Sequence, residues 1–313
     1  MLSRRDFGLA FGIGGLLRAQ VAIQPRKKPG APEEEQRRPN LRVDTNLMLV
    51  PVTVCDPMNR PVTGLEKDNF RILDENVEQT ITHFAMDDEP VAVGLVFDVS
   101  GSMADKLRRS RMAASAFFSL ANPEDEFFLV QFDSSPKMVV PLTRDVEQIL
   151  NQLTFTRSRG STALVDAVVL ALHEAKKSKK SRKALLIISD GGENNSRYSD
   201  VELRDMVREA DALIYAIGIY GGARTPEESS GPYFLRQMAE QSGGHALAGD
   251  PAELPDIAAK IGMELRNRYI LGYYPTSRER DGRYHLVHVR VVPPRGLPTL
   301  HAFWRRGYYA PSD

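Results

Sequence analysis

From residue 91 onward, short runs that are apolar at nearly every position alternate with stretches whose apolar residues recur every three or four positions. The runs are VAVGLVFDV from Val91, EFFLVQF from Glu126, KALLIIS from Lys183 and ALIYAIGIY from Ala212. Strands that are apolar on both sides suit a parallel sheet covered on both faces. The stretches Met103–Ala121, Thr162–Lys177 and Asp200–Ala210 carry the helical period. PKMVVPLT from Pro136 reads as a short edge strand, and Pro251–Asn267 as a closing helix. The alternation predicts an α/β domain over residues 91–265, built on a doubly wound, mainly parallel sheet.

The flanks have another texture. In residues 41–90, LRVDTNLMLVPVTVCD alternates and is rich in β-branched residues. Phe70–Leu73 and Val77–Phe84 read as two further strands around Asp74-Glu75-Asn76, and Pro51 points to an edge or a bulge. In residues 266–313, YILGYYP, YHLVHVRVV and LHAFWRRGYYA are strand candidates. Each flank is short for a core of its own. The economical arrangement pairs them in one β-sandwich-like domain, with the α/β domain inserted between them.

Residues 1–40 fit neither pattern. Ser3-Arg4-Arg5-Asp6-Phe7 precedes a weakly apolar stretch from Gly8 to Leu17, followed by Arg18. A charged start, a short apolar region and a small-residue exit describe an export signal over residues 1–23, and the paired arginines resemble the twin-arginine kind. Export would place the protein in the periplasm or outside the cell, or leave it anchored by an uncleaved signal. QPRKKPGAPEEEQRRPN, residues 24–40, holds four prolines and almost no apolar side chains, which predicts a disordered linker.

Charge sharpens this division. The 313 residues carry 41 basic and 41 acidic side chains, so the sum is zero. Residues 41–90 carry four basic and ten acidic groups, net −6, whereas residues 266–313 carry nine and three, net +6. Opposite charge suits two pieces that pack together. Overall neutrality argues against a protein built to hold nucleic-acid phosphates. The single cysteine, Cys55, rules out an intrachain disulfide and a multi-cysteine zinc site. No apolar run reaches the roughly 18 residues that would span a bilayer, so no transmembrane span is expected in the mature chain.

Ligands of open α/β sheets bind beyond the carboxyl ends of the strands. After VAVGLVF comes Asp98-Val99-Ser100-Gly101-Ser102, and after KALLIIS comes Asp190-Gly191-Gly192-Glu193-Asn194. Arg159-Gly160-Ser161-Thr162 precedes a predicted helix. These loops would bring two carboxylates and several hydroxyls to one crevice. Oxygen-only ligation suits a hard divalent cation. Neutral hydroxyls leave such an ion with residual positive charge and a taste for an external carboxylate. The plainer alternative is that the hydroxyls, notably Ser102 and Thr162, cap helix N-termini.

FDVSGSM, GSTAL and ISDGGEN together resemble the three parts of a metal-ion-dependent adhesion site in a von Willebrand factor type A domain, a Rossmann-like fold. The flanking segments are similar to those of bacterial von Willebrand factor A-related proteins. The resemblance implies direct metal ligation by Ser100 and Ser102, and by Thr162 directly or through water. It implies that Asp98 and Asp190 act through water or through hydrogen bonds to the hydroxyls. The metal would be Mg2+, with Mn2+ or Ca2+ as substitutes, and the open position would take an Asp or Glu of a partner protein. The function so implied is non-catalytic, adhesion-type protein binding.

Arg157, Arg159 and Arg197 lie near the proposed crevice and are candidates for steering an acidic partner. Two other functions stay open: a metal-assisted hydrolase, for which Glu193 is the nearby candidate base, and a structural envelope component whose metal only stabilises the loops. No HExxH spacing and no G-x-S-x-G elbow occurs.

Overall fold

A computed structural model of the chain describes residues 47–219, 226–277 and 281–312. The predicted signal and linker, residues 1–40, lie outside the described residues.

The central sheet has six strands: β5 (Val91–Asp98), β6 (Glu126–Phe132), β7 (Pro136–Thr143), β8 (Arg182–Ser189), β9 (Leu213–Ile219) and β10 (Ala246–Gly249). Their order is β10-β9-β8-β5-β6-β7, parallel except for the edge strand β7. Every residue of β5 is buried, as its unbroken apolar run predicts. Val91, Val93, Leu95 and Phe97 pack with helices α1 (Leu107–Phe118), α2 (Val146–Thr154) and α6 (Leu254–Glu264). Val96 packs on the other face with α3 (Leu164–Ala175), α4 (Asp200–Glu209) and α5 (Pro226–Ser242). The chain runs outward from β5 through β6 to β7, then crosses back to β8 and outward through β9 to β10. The direction of winding therefore reverses between β5 and β8, which opens a crevice beyond their carboxyl ends.

Helices α2 and α5 were not foreseen in the sequence. The helix expected from Met103 starts only at Leu107, because Gly101–Met103 forms a 3₁₀ turn. Helix α4 starts where Ser199 and Glu202 form a reciprocal capping box.

The flanks form two four-stranded antiparallel sheets. One has the order β13-β1-β11-β4, from β13 (His301–Trp304), β1 (Met48–Cys55), β11 (Arg268–Tyr273) and β4 (Ile81–Asp87). The other has the order β14-β12-β2-β3, from β14 (Gly307–Tyr309), β12 (Tyr284–Val291), β2 (Phe70–Asp74) and β3 (Val77–Gln79). Val52, Phe70, Ile72, Tyr269, Leu271 and Val287 share one core between them. The strand expected over Val77–Phe84 is broken at Thr80, where the chain passes from one sheet to the other. The last expected strand is divided in the same way at Arg305-Arg306.

Strand β1 is interior to its sheet, yet Pro51 is tolerated there. Strand β13 pairs only with Val52–Cys55, so at Pro51 only β11 lies alongside. The proline is locally at an edge, where its missing N–H costs no ladder bond. At Asp74 the acidic and basic flanks meet through hydroxyls, which Tyr273 and Tyr308 each donate to Oδ2 at 2.9 Å. Among the described residues no helix is long and apolar enough to cross a membrane.

Candidate functional site

Asp98 is the last residue of β5, and Asp190 follows the last residue of β8, so both carboxylates stand at the reversal point of the sheet. Asp98 is fully buried. Its Oδ1 accepts the Ser100 N–H at 2.9 Å, and its Oδ2 accepts the Ser189 hydroxyl at 2.5 Å. The Ser100 and Ser102 hydroxyls are 3.1 Å apart. Ser100 is buried while Ser102 faces solvent.

The third loop is fastened to the other two by backbone. Gly101 N–H donates to Gly160 O at 3.0 Å, and Arg159 N–H donates to Val99 O at 2.8 Å. Gly160 has φ +78°, and a Cβ there would lie 2.7 Å from Ser134 Oγ, so glycine is required at that point. Ala163 N–H donates to Asp133 O at 2.9 Å, and Thr162 N–H to Asn194 Oδ1 at 2.9 Å. Thr162 is thereby held on the flank of the Asp190 loop. A Cβ added to Gly192 would touch both Asp190 Oδ1 at 3.4 Å and Thr162 Oγ1 at 3.7 Å. Gly192 keeps that gap clear. The structure thus brings together Asp98, Ser100, Ser102, Thr162 and Asp190.

The hydroxyls do not serve as helix caps. Lys106 and Ala163 occupy the cap positions of α1 and α3, and neither makes a side-chain capping bond. Helix α3 is capped instead by the Asp190 loop: Val165 N–H donates to Glu193 Oε2 at 2.9 Å, and Asp166 N–H to Ser196 Oγ at 3.1 Å. Glu193 Oε1 also accepts from Asn195 N at 3.0 Å and Ser196 N at 2.9 Å, and Oε2 accepts the Ser196 hydroxyl at 2.7 Å. Both of its oxygens are engaged in holding the loop. It is poorly placed to act as the base considered from sequence.

Burial, reinforced by the Asp190 charge, pushes the Asp98 carboxyl up to about 7. Two buried carboxylates that repel one another call for a cation. Lys106, a residue sequence reading passed over, supplies one: its Nζ donates to Asp190 Oδ2 at 2.8 Å. Lysine–aspartate partners 84 positions apart leave no local signal in the sequence. Ser189 was also overlooked, although its place directly before Asp190 in the ISDGGEN loop could have drawn attention to it.

The three arginines sit around this crevice with exposed guanidinium groups. Arg159 Nε lies 3.4 Å from Asp133, and Arg197 Nε donates to Asp166 at 3.0 Å. Arg157 is exposed, next to the 82% exposed Phe155. Val99, Asp133, Lys137, Phe155, Arg157 and Arg159 line a shallow depression beside the site.

The donor set consists of hydroxyl and carboxylate oxygens alone. Among the described residues no group of three or more His, Cys, Asp or Glu could hold a metal. The arrangement therefore departs from a carboxylate cage or a histidine centre. It fits a hard divalent cation, provided the hydroxyls do part of the ligation.

Fold and site geometry define a doubly wound α/β domain with an oxygen-lined crevice at its switch point. Residues 93–193 match the family model described as von Willebrand factor type A domain. All five site residues fall within that match, and the chain carries a von Willebrand factor type A domain. An uncharacterized protein of Borreliella burgdorferi is 26% identical over 178 residues, covering 54% of this chain and 51% of that one. Inter-alpha-trypsin inhibitor heavy chain H4 of Bos taurus is 25% identical over 170 residues, covering 50% of this chain and 18% of that one. The chain thus spans about half the length of the first curated relative and less than a fifth of the second. A solved structure, von Willebrand factor type A from Catenulispora acidiphila, superposes with a TM-score of 0.50 at 14% identity. That match covers 79% of this chain and 76% of the other, and shows a shared fold.

Proposed function

We propose that the chain is an exported, non-catalytic protein-binding module in which a divalent cation at the switch-point crevice holds a carboxylate of a partner protein. The observation that carries this reading is that Asp98, Ser100, Thr162 and Asp190, all buried, stand on the three loops at the switch point, where the solvent-facing Ser102 lies beside Ser100. In this reading Ser100 and Ser102 ligate the metal, and Thr162 ligates it directly or through water. Asp98 and Asp190 hold the hydroxyls and the metal's water. Bound Mg2+, or Mn2+ or Ca2+ in its place, would supply positive charge that an Asp or Glu side chain can meet.

The surroundings favour an acidic partner. Arg157 exposes positive charge beside the crevice, Arg159 and Arg197 expose guanidinium groups paired with Asp133 and Asp166, and Phe155 offers an apolar contact near Arg157. Such charge raises the encounter rate more than the final affinity. The engagement of both Glu193 oxygens in capping α3 favours binding over hydrolysis. Export rests on the resemblance of the N-terminal segment to a twin-arginine signal.

The test is capture from envelope extract on immobilised protein, in Mg2+ and in EDTA, with Asp98→Ala as the parallel bait. Retention of the same proteins only by the wild type in Mg2+ is expected. Equal retention in EDTA, or by Asp98→Ala, contradicts the proposal.

A further inference from the structure

Lys106 places a cation in the crevice that belongs to the chain itself. Its side chain is 7% exposed and its partner Asp190 1% exposed. The ammonium is fixed at its base as well. Lys106 O accepts the N–H groups of Arg109 and Ser110, each at 3.0 Å, and the Ser110 hydroxyl at 3.1 Å. The first turn of α1 thus anchors the residue whose tip reaches Asp190 Oδ2, across the crevice from the Asp98-to-Ser102 loop. The other Asp190 oxygen accepts the Gly192 N–H at 3.3 Å, in the gap shared with Thr162. The ammonium and any metal at the site would share the buried Asp190 carboxylate.

We infer that Lys106 is a built-in counter-cation that lowers the metal affinity of the site and keeps the metal-free domain folded. This rests on the metal-binding reading and adds the regulation of that same site. Two buried carboxylates without a nearby positive charge would repel each other and oppose folding. Lys106 neutralises one of them before any metal arrives. A divalent cation entering the crevice then meets a like charge held against Asp190, and its binding is weakened. Removing the lysine charge removes that opposition and hands the neutralising role to the metal. The metal-free protein becomes less stable, while the loaded protein binds its ion more tightly. Lys106 thereby makes metal loading an optional state and spares the fold from depending on it.

The experiment is calorimetric titration of the full chain with Mn2+ and Mg2+, for wild type, Lys106→Gln and Lys106→Arg, with thermal melts in EDTA and in saturating metal. Lys106→Gln keeps a hydrogen-bond donor without the charge, and Lys106→Arg keeps the charge. Lys106→Gln is expected to bind metal at least tenfold more tightly than wild type. It should melt lower than wild type in EDTA and recover in metal. Lys106→Arg is expected to stay within about threefold of wild-type affinity. If Lys106→Gln is folded only when metal is present, that dependence supports the inference. Wild-type binding with equal or weaker binding by folded Lys106→Gln overturns the inference and leaves the metal site standing. A Lys106→Arg variant that behaves like Lys106→Gln also overturns it. Absence of metal binding in wild type and in folded Lys106→Gln overturns the metal site and this inference together.

Discussion

Glu264→Gln removes an ionisable group from the contact between the α/β domain and the sandwich. Glu264, on α6, is fully buried. Its Oε1 accepts the Cys55 thiol of β1 at 3.4 Å, and its Oε2 has no hydrogen-bond partner. His245 Nε2 lies 3.4 Å from Oε1 but makes no hydrogen bond to it, and the imidazole stacks on Phe303 of β13 at 4.1 Å. Burial raises the Glu264 carboxyl from 4.5 to about 8 and lowers the His245 imidazole from 6.5 to about 4. Both groups are therefore largely neutral at pH 7, and the contact is not an ion pair. Between pH 4.5 and 8 the folded chain keeps a proton on Glu264 that the unfolded chain has released, so stability falls as pH rises. Between pH 4 and 6.5 the unfolded chain holds a proton on His245 that the folded chain lacks, so stability rises with pH. Each slope is about 1.4 kcal/mol per pH unit. They offset one another up to pH 6.5, and above it the Glu264 loss stands alone, reaching ~2 kcal/mol by pH 8. Urea unfolding of wild type and Glu264→Gln at both pH values isolates this effect, since all other titrating groups are shared. The stability gap in favour of the variant should widen by ~2 kcal/mol from pH 6.5 to 8. A gap that stays constant refutes the assignment of a raised carboxyl to Glu264.

Gly94→Ala tests the packing of β5 on its α3 face. The new Cβ would stand 2.1 Å from Phe128 Cζ and 2.8 Å from Leu185 Cδ2, so a loss of about 1–3 kcal/mol is expected from thermal melts. An unchanged melting temperature contradicts it. Tyr273→Phe and Tyr308→Phe each remove one hydroxyl donor from Asp74 and should cost about 1 kcal/mol apiece in urea unfolding. The double variant should cost more than the sum, because it strips Asp74 Oδ2 of both hydroxyls while Oδ1 already has no partner. Strict additivity would show that the two hydroxyls act independently.

The central sheet was legible because β5, β6, β8 and β9 are runs of apolar residues that only a doubly covered sheet can bury. The site could be read for a related reason: Asp98 and Asp190 are abrupt polar stops after such runs. Other features left no comparable trace. The break at Thr80 interrupts no apolar alternation and is set by the need to supply strands to both sheets of the sandwich. Helix α2 does carry a helical period, with Val146, Ile149, Leu150 and Leu153 on one face, but it is only nine residues long. Glu193 looked like a free carboxylate beside a crevice, and its role as a cap for α3 depends on Val165, a loop away. Residues 176–183 are rich in lysine, which locally suggests a solvated stretch, yet Arg182 within it is buried, with Nε 3.0 Å from Asp87. For Glu193 and Arg182 the missing information is a partner distant in sequence, and neither periodicity nor local propensity records it.

The most direct test of the account is a calorimetric titration of Mg2+ into the wild-type chain and into Asp98→Ala, with circular dichroism to establish that both are folded. Saturable binding of Mg2+ by the wild type and its loss in folded Asp98→Ala are expected. Binding that survives the substitution, or no saturable binding by the wild type, would contradict it.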